Sequence, residues 1–129
     1  MIPQDCILVT RNISGKITDA NGRPIKNAIV YVQNTFTAGF EAGKVNLILS
    51  TDTNGQFGYN AIPVFACDVL KFRVVAQGYT EKTVSYFAAA PYYEGAQNID
   101  PDGYGKEIDY PNMKVTPSVL PRQVYVTLP

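Results

Sequence analysis

Few residues in this 129-residue chain have the types and spacing for chemistry. The stretch Asp100-Pro101-Asp102-Gly103-Tyr104-Gly105-Lys106-Glu107-Ile108-Asp109 gathers carboxylates in the manner of an oxygen-lined Ca²⁺ loop. It departs from the EF-hand pattern, because Tyr104 stands where Asp or Asn is needed and no Glu occupies the twelfth position. The expectation is a solvated loop with glycine turns and no bound metal. Asp19/Asn21 and Asp52/Asn54 are carboxylate–amide pairs. Both lie in turn sequences, Asp19-Ala20-Asn21-Gly22 and Asp52-Thr53-Asn54-Gly55, where side chain-to-backbone bonding accounts for them without a metal. Cys6 and Cys67 are too few for a Cys-only zinc site or a disulfide framework. Whether they pair stays open, with a buried reduced thiol the expectation. The chain has no His, which removes Ser-His-Asp and Cys-His catalysis and every His-containing metal site. No catalytic residue, cofactor or metal is expected.

The composition bounds what must position these residues. Hydrophobic residues make up 46% and charged residues 17%, so the chain can build a core and is read as one domain over residues 1–129. Lys+Arg and Asp+Glu are both 11, giving a formal net charge of +0. Proteins that bind phosphate backbones carry a basic excess, so no nucleic-acid partner is expected. Met1 to Thr10 contain Asp5, lack a basic start and lack a long apolar run, so no signal peptide is read there. No apolar run approaches the ~18 residues of a membrane helix, so no membrane partner is expected.

Nine Tyr, six Phe, ten Gly and nine Pro, with short apolar runs broken by turns, point to β-structure. Strands are read at Ile13–Thr18, Ala28–Val32, Val45–Leu49, from Gln56 to Tyr59, Val69–Ala76, Thr83–Phe87 and Val124–Leu128. Asn21-Gly22 and Asn54-Gly55 mark turns, and Gln77-Gly78-Tyr79 marks another. Thr35 to Lys44, with Gly39 and Gly43, reads as a loop. Ala88 to Pro121 holds Pro91, Pro101, Pro111, Pro117 and Pro121 and shows neither a helical period nor a strong strand. No long helical period occurs anywhere, and short strands with frequent turns predict a β-sandwich.

The segment from Ile13 to Val30 resembles the opening of carboxypeptidase regulatory-like domains. It has Gly15 in the first strand, Asp19 before a turn, the turn Gly22, Pro24-Ile25, then Ala28 and an alternating strand. Thr51-Asp52-Thr53-Asn54-Gly55-Gln56-Phe57 resembles the second signature of that family, and Phe72 to Ala76 running into Gly78-Tyr79 resembles the third. The resemblance implies a seven-stranded Ig-like, transthyretin-like antiparallel sandwich. Its strands would lie within 11–87 and 122–128, with an irregular Tyr/Pro-rich insertion at 88–121 before the last strand. It also implies a non-catalytic module. Gly22, Gly55 and Gly78 are structural turn residues in this reading. Related sandwiches of the Cna-B kind join a first-strand Lys to a last-strand Asn. Lys16 is in place, but Val124–Leu128 contains no Asn, so no crosslink is expected. Hydroxyisourate hydrolases and intradiol dioxygenases, on similar sandwiches, use histidines that this chain lacks.

The insertion is where function is expected to lie, since a long loop in a compact domain is uncommon without a role. Tyr92, Tyr93, Tyr104 and Tyr110 are the candidate interface anchors, because Tyr recurs at buried contact surfaces. The alternative is that the segment folds back to cover a sheet edge. The expected function is a structural or interaction protein. Its partners would be copies of itself and other subunits of a large assembly, such as a bacteriophage virion assembled in the host cytoplasm. The alternative is a binding or spacer module of the bacterial cell surface or periplasm.

Overall fold

Strand β1 (Leu8–Asp19) organises one of two sheets, and its alternation explains how. Val9, Arg11, Ile13, Gly15 and Ile17 turn inward and are buried, while Thr10, Asn12, Ser14, Lys16 and Thr18 turn outward. The computed structural model describes residues 8–34, 44–66, 68–88, 108–110, 113–115 and 119–129, with 108–110 and 113–115 described by backbone alone. The further strands are β2 (Ile29–Asn34), β3 (Asn46–Ser50), β4 (Gln56–Phe65), β5 (Val69–Val75), β6 (Lys82–Phe87), β7 (Ile108–Tyr110), β8 (Met113–Val115) and β9 (Val124–Leu128). One sheet has the order β4-β1-β9 and the other β3-β2-β5-β6, while β7 and β8 pair with each other as a small hairpin. No helix occurs among the described residues. The all-β, seven-stranded sandwich read from the sequence is the observed fold.

The structure adjusts three details. First, β1 begins at Leu8 rather than Ile13, because Arg11 occupies a core position and hides the apolar alternation. Second, β4 runs on through Asn60 and Pro63 to Phe65. Its register with β1 shifts between Arg11↔Ile62 and Ile13↔Tyr59, so Asn12 faces two residues. This is a β-bulge, with Ala61 at φ 60° and its N–H donated to Asn12 Oδ1 at 2.9 Å. Pro63 is tolerated because β4 is an edge strand. Third, the insertion carries the β7–β8 hairpin, and β9 lies parallel to β1, from Gly15↔Val124 to Asp19↔Leu128. All other strand pairs are antiparallel. The parallel pair follows from the path of the chain. Val119 bridges Phe87 at the end of β6, so β9 starts at that end and crosses to the other sheet.

The core lies between the sheets, with Ile13, Ile17, Val64, Val124 and Leu128 on one side and Val30, Val32, Leu70, Phe72 and Val74 on the other. Gly15 admits the tightest approach. A Cβ there would collide with the Phe57 ring and the Val124 carbonyl, so the bare backbone makes room for Phe57 to enter the core. Phe57 then meets Phe72 of the opposite sheet at 6.5 Å between ring centroids, and Phe72 meets Tyr86 edge-on at 6.0 Å.

Gly22, Gly55 and Gly78 have φ of 81°, 72° and 85°. They differ in their surroundings: a Cβ at Gly22 meets open space, whereas one at Gly55 would strike the Ile17 carbonyl. Gly22→Ala should therefore cost about 1–2 kcal/mol, the left-handed strain alone. Gly55→Ala should cost more, with the backbone clash added. Urea unfolding of both variants checks the order, and equal costs would contradict the packing at Gly55.

Candidate functional site

The two ends of the sandwich are built differently. At one end sit the short turns of the three signature segments, and their carboxylates are already engaged. Asp19 Oδ1 accepts the amides of Asn21 at 2.8 Å and Arg23 at 2.9 Å. Asp52 Oδ1 accepts those of Asn54 and Gln56, each at 2.9 Å. These are Asx-type turns, and each carboxylate faces its own loop. Buried Thr51 pins the same end. Its hydroxyl donates to the Ile25 carbonyl at 2.6 Å and accepts the Ala28 amide at 2.9 Å. The Thr-Asp pair of the second signature thus serves structure at both residues.

At the opposite end, β1 starts beside the finish of β4, the 66–68 connection joins β4 to β5, and β2 ends where β5 begins. Residues 35–43 connect β2 to β3 there. Residues 89–118 leave from Ala88 and return at Val119 there as well, since Phe87 bridges Val119 and the Leu120 amide donates to the Phe87 carbonyl at 2.9 Å. The two longest connections between sandwich strands, β2 to β3 and β6 to β9, both open on this one end.

Two buried charges also belong to this loop end. Arg11 is 1% exposed and Asp68 is 0% exposed. Asn34, the last residue of β2, links Asp68 to the start of β3: its Nδ2 donates to Asp68 Oδ2 at 2.8 Å, and its Oδ1 accepts the Val45 amide at 3.0 Å. The second Asp68 oxygen accepts the Val69 amide at 2.8 Å. One side chain therefore clamps both stems of the 35–43 connection to a buried carboxylate. Beside the clamp, a shallow groove of about 320 Å³ runs between the β3 and β4 edges, lined by Val45, Leu47, Tyr59, Ile62 and Pro63. Lys44 and Asn46 also line it, so its walls are as polar as they are apolar, and they hold no acid–base pair.

Of the candidate anchors, Tyr92, Tyr93 and Tyr104 lie outside the described residues, and Tyr110 ends β7. Cys6, Cys67 and residues 100–107 of the acidic stretch also lie outside them. No group of three or more His, Cys, Asp or Glu with metal-binding geometry occurs among the described residues. Lys16 is on the outward-facing register of β1, turned away from the core. No described helix is long and apolar enough to cross a membrane, which says nothing of strands. The Arg11, Asn34 and Asp68 arrangement was not anticipated. Its one sequence signal is the charged Arg11 at the inward phase of Val9-x-Arg11-x-Ile13.

A family model, the carboxypeptidase regulatory-like domain, matches residues 12–100, and the chain belongs to that family. No curated protein matches the sequence significantly. Among solved structures, chlorocatechol 1,2-dioxygenase from Pseudomonas putida is similar with a TM-score of 0.55 at 14% identity, covering 94% of this chain. Hydroxyquinol 1,2-dioxygenase from Pseudomonas putida DLL-E4 has a TM-score of 0.53 at 15% identity, covering 99% of this chain. This chain spans 60% and 58% of those two proteins. Likeness at this identity is a likeness of fold.

Two outcomes follow from the loop end. Asn34→Leu removes a donor from a buried carboxylate and an acceptor from the Val45 amide, and should cost about 2–4 kcal/mol in urea unfolding. Asn34→Asp keeps the acceptor but sets a second carboxylate against Asp68, and should be at least as damaging at neutral pH. Near the same end, burial raises the Tyr86 pKa above its ordinary 10.0. The fold therefore favours the protonated phenol. That contribution is intact below pH 10.0 and is lost as pH rises through the folded value. Tyr86→Phe should show a flatter alkaline loss of stability than the parent, read by thermal melts across that range.

Proposed function

We propose that this domain is a non-catalytic interaction module that holds protein partners at its loop end. The observation that carries the reading is that the two longest connections, β2 to β3 and β6 to β9, open on one end of a two-sheet frame, with self-bonded turns at the other. Loops on a rigid scaffold are where binding surfaces are commonly placed. A chain without His has no general base with an ordinary pKa near neutrality, which favours binding over catalysis. Four of the nine tyrosines fall in the 88–121 segment and supply rigid, amphipathic contact area. The finer part of the proposal is the setting. The module is a subunit of a large protein assembly such as a bacteriophage virion, contacting copies of itself and other subunits.

The ends of the insertion are adjacent at Phe87 and Val119, and β7 pairs only with β8 among the described strands. Replacing Pro91 to Pro117 with a short Gly-Ser bridge should therefore leave the sandwich folded, by circular dichroism and cooperative melting, and abolish co-sedimentation with assembled particles. Unfolding of the deleted protein would assign the segment to the core. Unchanged co-sedimentation would move the contact surface elsewhere. Recovery of the parent protein in a membrane or surface fraction, free of particles, would replace the virion setting with the cell-surface one.

A further inference from the structure

The two sheets have four edge strands, and three of them are blunted. In β4 the edge carries Pro63 and the bulge at Ala61. Along β6, the Phe87 carbonyl is taken by the Leu120 amide and Phe87 bridges Val119. On β9, the Thr127 carbonyl accepts from Lys82 Nζ at 3.3 Å and Pro129 follows the strand. The fourth edge, β3, has none of these devices. Asn46-Leu47-Ile48-Leu49-Ser50 contains no Pro, no Gly and no charge, and Ile48 is 69% exposed. Among the described residues no strand pairs with its outer side.

The hydrogen-bonding phase of β3 can be read from its ends. The Thr51 amide donates to Ala28 of the neighbouring segment at 3.0 Å, and the Val45 carbonyl accepts the Asn34 amide of β2 at 3.4 Å. Odd-numbered residues thus bond inward to the sheet. Because the direction alternates along a strand, the amides and carbonyls of Asn46, Ile48 and Ser50 point outward. The sequence is also close to a palindrome about Ile48. Leu47 mirrors Leu49, polar Asn46 mirrors polar Ser50, and Val45 mirrors the isosteric Thr51.

We propose that β3 is a self-association edge. The β3 strands of two copies pair antiparallel about a two-fold axis at Ile48, joining two four-stranded sheets into one continuous sheet. In that register Ile48 faces its own copy as a bonded pair, and Asn46 faces Ser50 on either side. All three outward-pointing residues find partners, about six hydrogen bonds in total. Leu47 faces Leu49 on the inner side, and the exposed Ile48 side chains cover each other on the outer side. A formal net charge of +0 sets no repulsion between copies. An isologous contact of this kind closes on itself as a dimer. The surface is a strand edge that starts at the loop end but uses none of its connections, and the inference stands or falls without the assembly reading above.

The test is the mass in solution with the full chain. Sedimentation equilibrium at micromolar concentration should give twice 14.2 kDa. Ile48→Lys and Ile48→Glu each set like charges across the axis and should weaken association roughly a hundredfold or more. An equimolar mixture of the two should restore a one-to-one dimer. Ile48→Pro removes only an outward amide and should also give a folded monomer. Hydrogen exchange gives a reading without substitution. The amides of Asn46, Ile48 and Ser50 should gain protection as concentration rises, while those of Leu47 and Leu49 stay protected throughout. A parent protein that is monomeric across the range overturns the proposal. So does a dimer that survives both Ile48→Lys and Ile48→Pro, or exchange at Asn46, Ile48 and Ser50 that ignores concentration. If a variant fails to fold, the exchange experiment on the parent decides.

Discussion

The sandwich depends on the absence of a side chain at Gly15. β1 is paired on both sides, by β4 and by β9, and Gly15 stands opposite Phe57 on one and Val124 on the other. The space a Cβ would fill is taken by the Phe57 ring. From there Phe57 reaches Phe72, and Phe72 reaches Tyr86, so a line of three rings ties a three-stranded sheet to a four-stranded one. Aromatic pairs add about 0.5–1.5 kcal/mol each beyond their buried area. The larger effect is registration. A side chain at residue 15 would displace Phe57 and Val124 together, and with them the pairing of both neighbours of β1.

Around that fixed point the polar groups divide by end. The short-turn end spends its carboxylates on its own amides, which holds the strand ends together and leaves those oxygens committed. The loop end buries Asp68 and Arg11 and uses Asn34 as the link between a core carboxylate and a surface connection. A buried carboxylate needs donors, so loop geometry and core integrity are coupled there. The same end can hold long connections without loosening the sheets, because their stems are fixed by strand pairing and by the Asn34 clamp.

Much of this frame was legible from residue types. Asp19, Gly22, Thr51, Asp52, Gly55 and Gly78 have local jobs that depend on turn chemistry, and turn chemistry is written in a few adjacent residues. Gly15 was legible as a family feature, but its reason is not local, since it requires knowing that Phe57 crosses it. The first half of β1 was obscured by Arg11, where a charge occupies a core phase. The second half of β4 was obscured by Asn60, Ala61 and Pro63, which an edge strand with a bulge accepts and a periodicity argument rejects. The parallel setting of β9 depends on where the 89–118 connection returns, and nothing within Val124–Leu128 encodes that. Asn34 and Asp68 are 34 residues apart and meet only through the sheet.

The parallel pairing of β1 with β9 has a mechanical consequence. The chain enters β1 at the loop end and leaves β9 at the short-turn end, so the first and last strands point the same way side by side. Tension applied through the chain before Leu8 and after Leu128 would act along the strands in opposite senses. It would load the hydrogen bonds from Gly15↔Val124 to Asp19↔Leu128 together, in shear, rather than peeling them open in turn. A domain wired this way resists extension along its long axis more than a hairpin pulled from one end. Stiffness under load is thus set by chain direction in a single strand pair, independently of what the loop end binds.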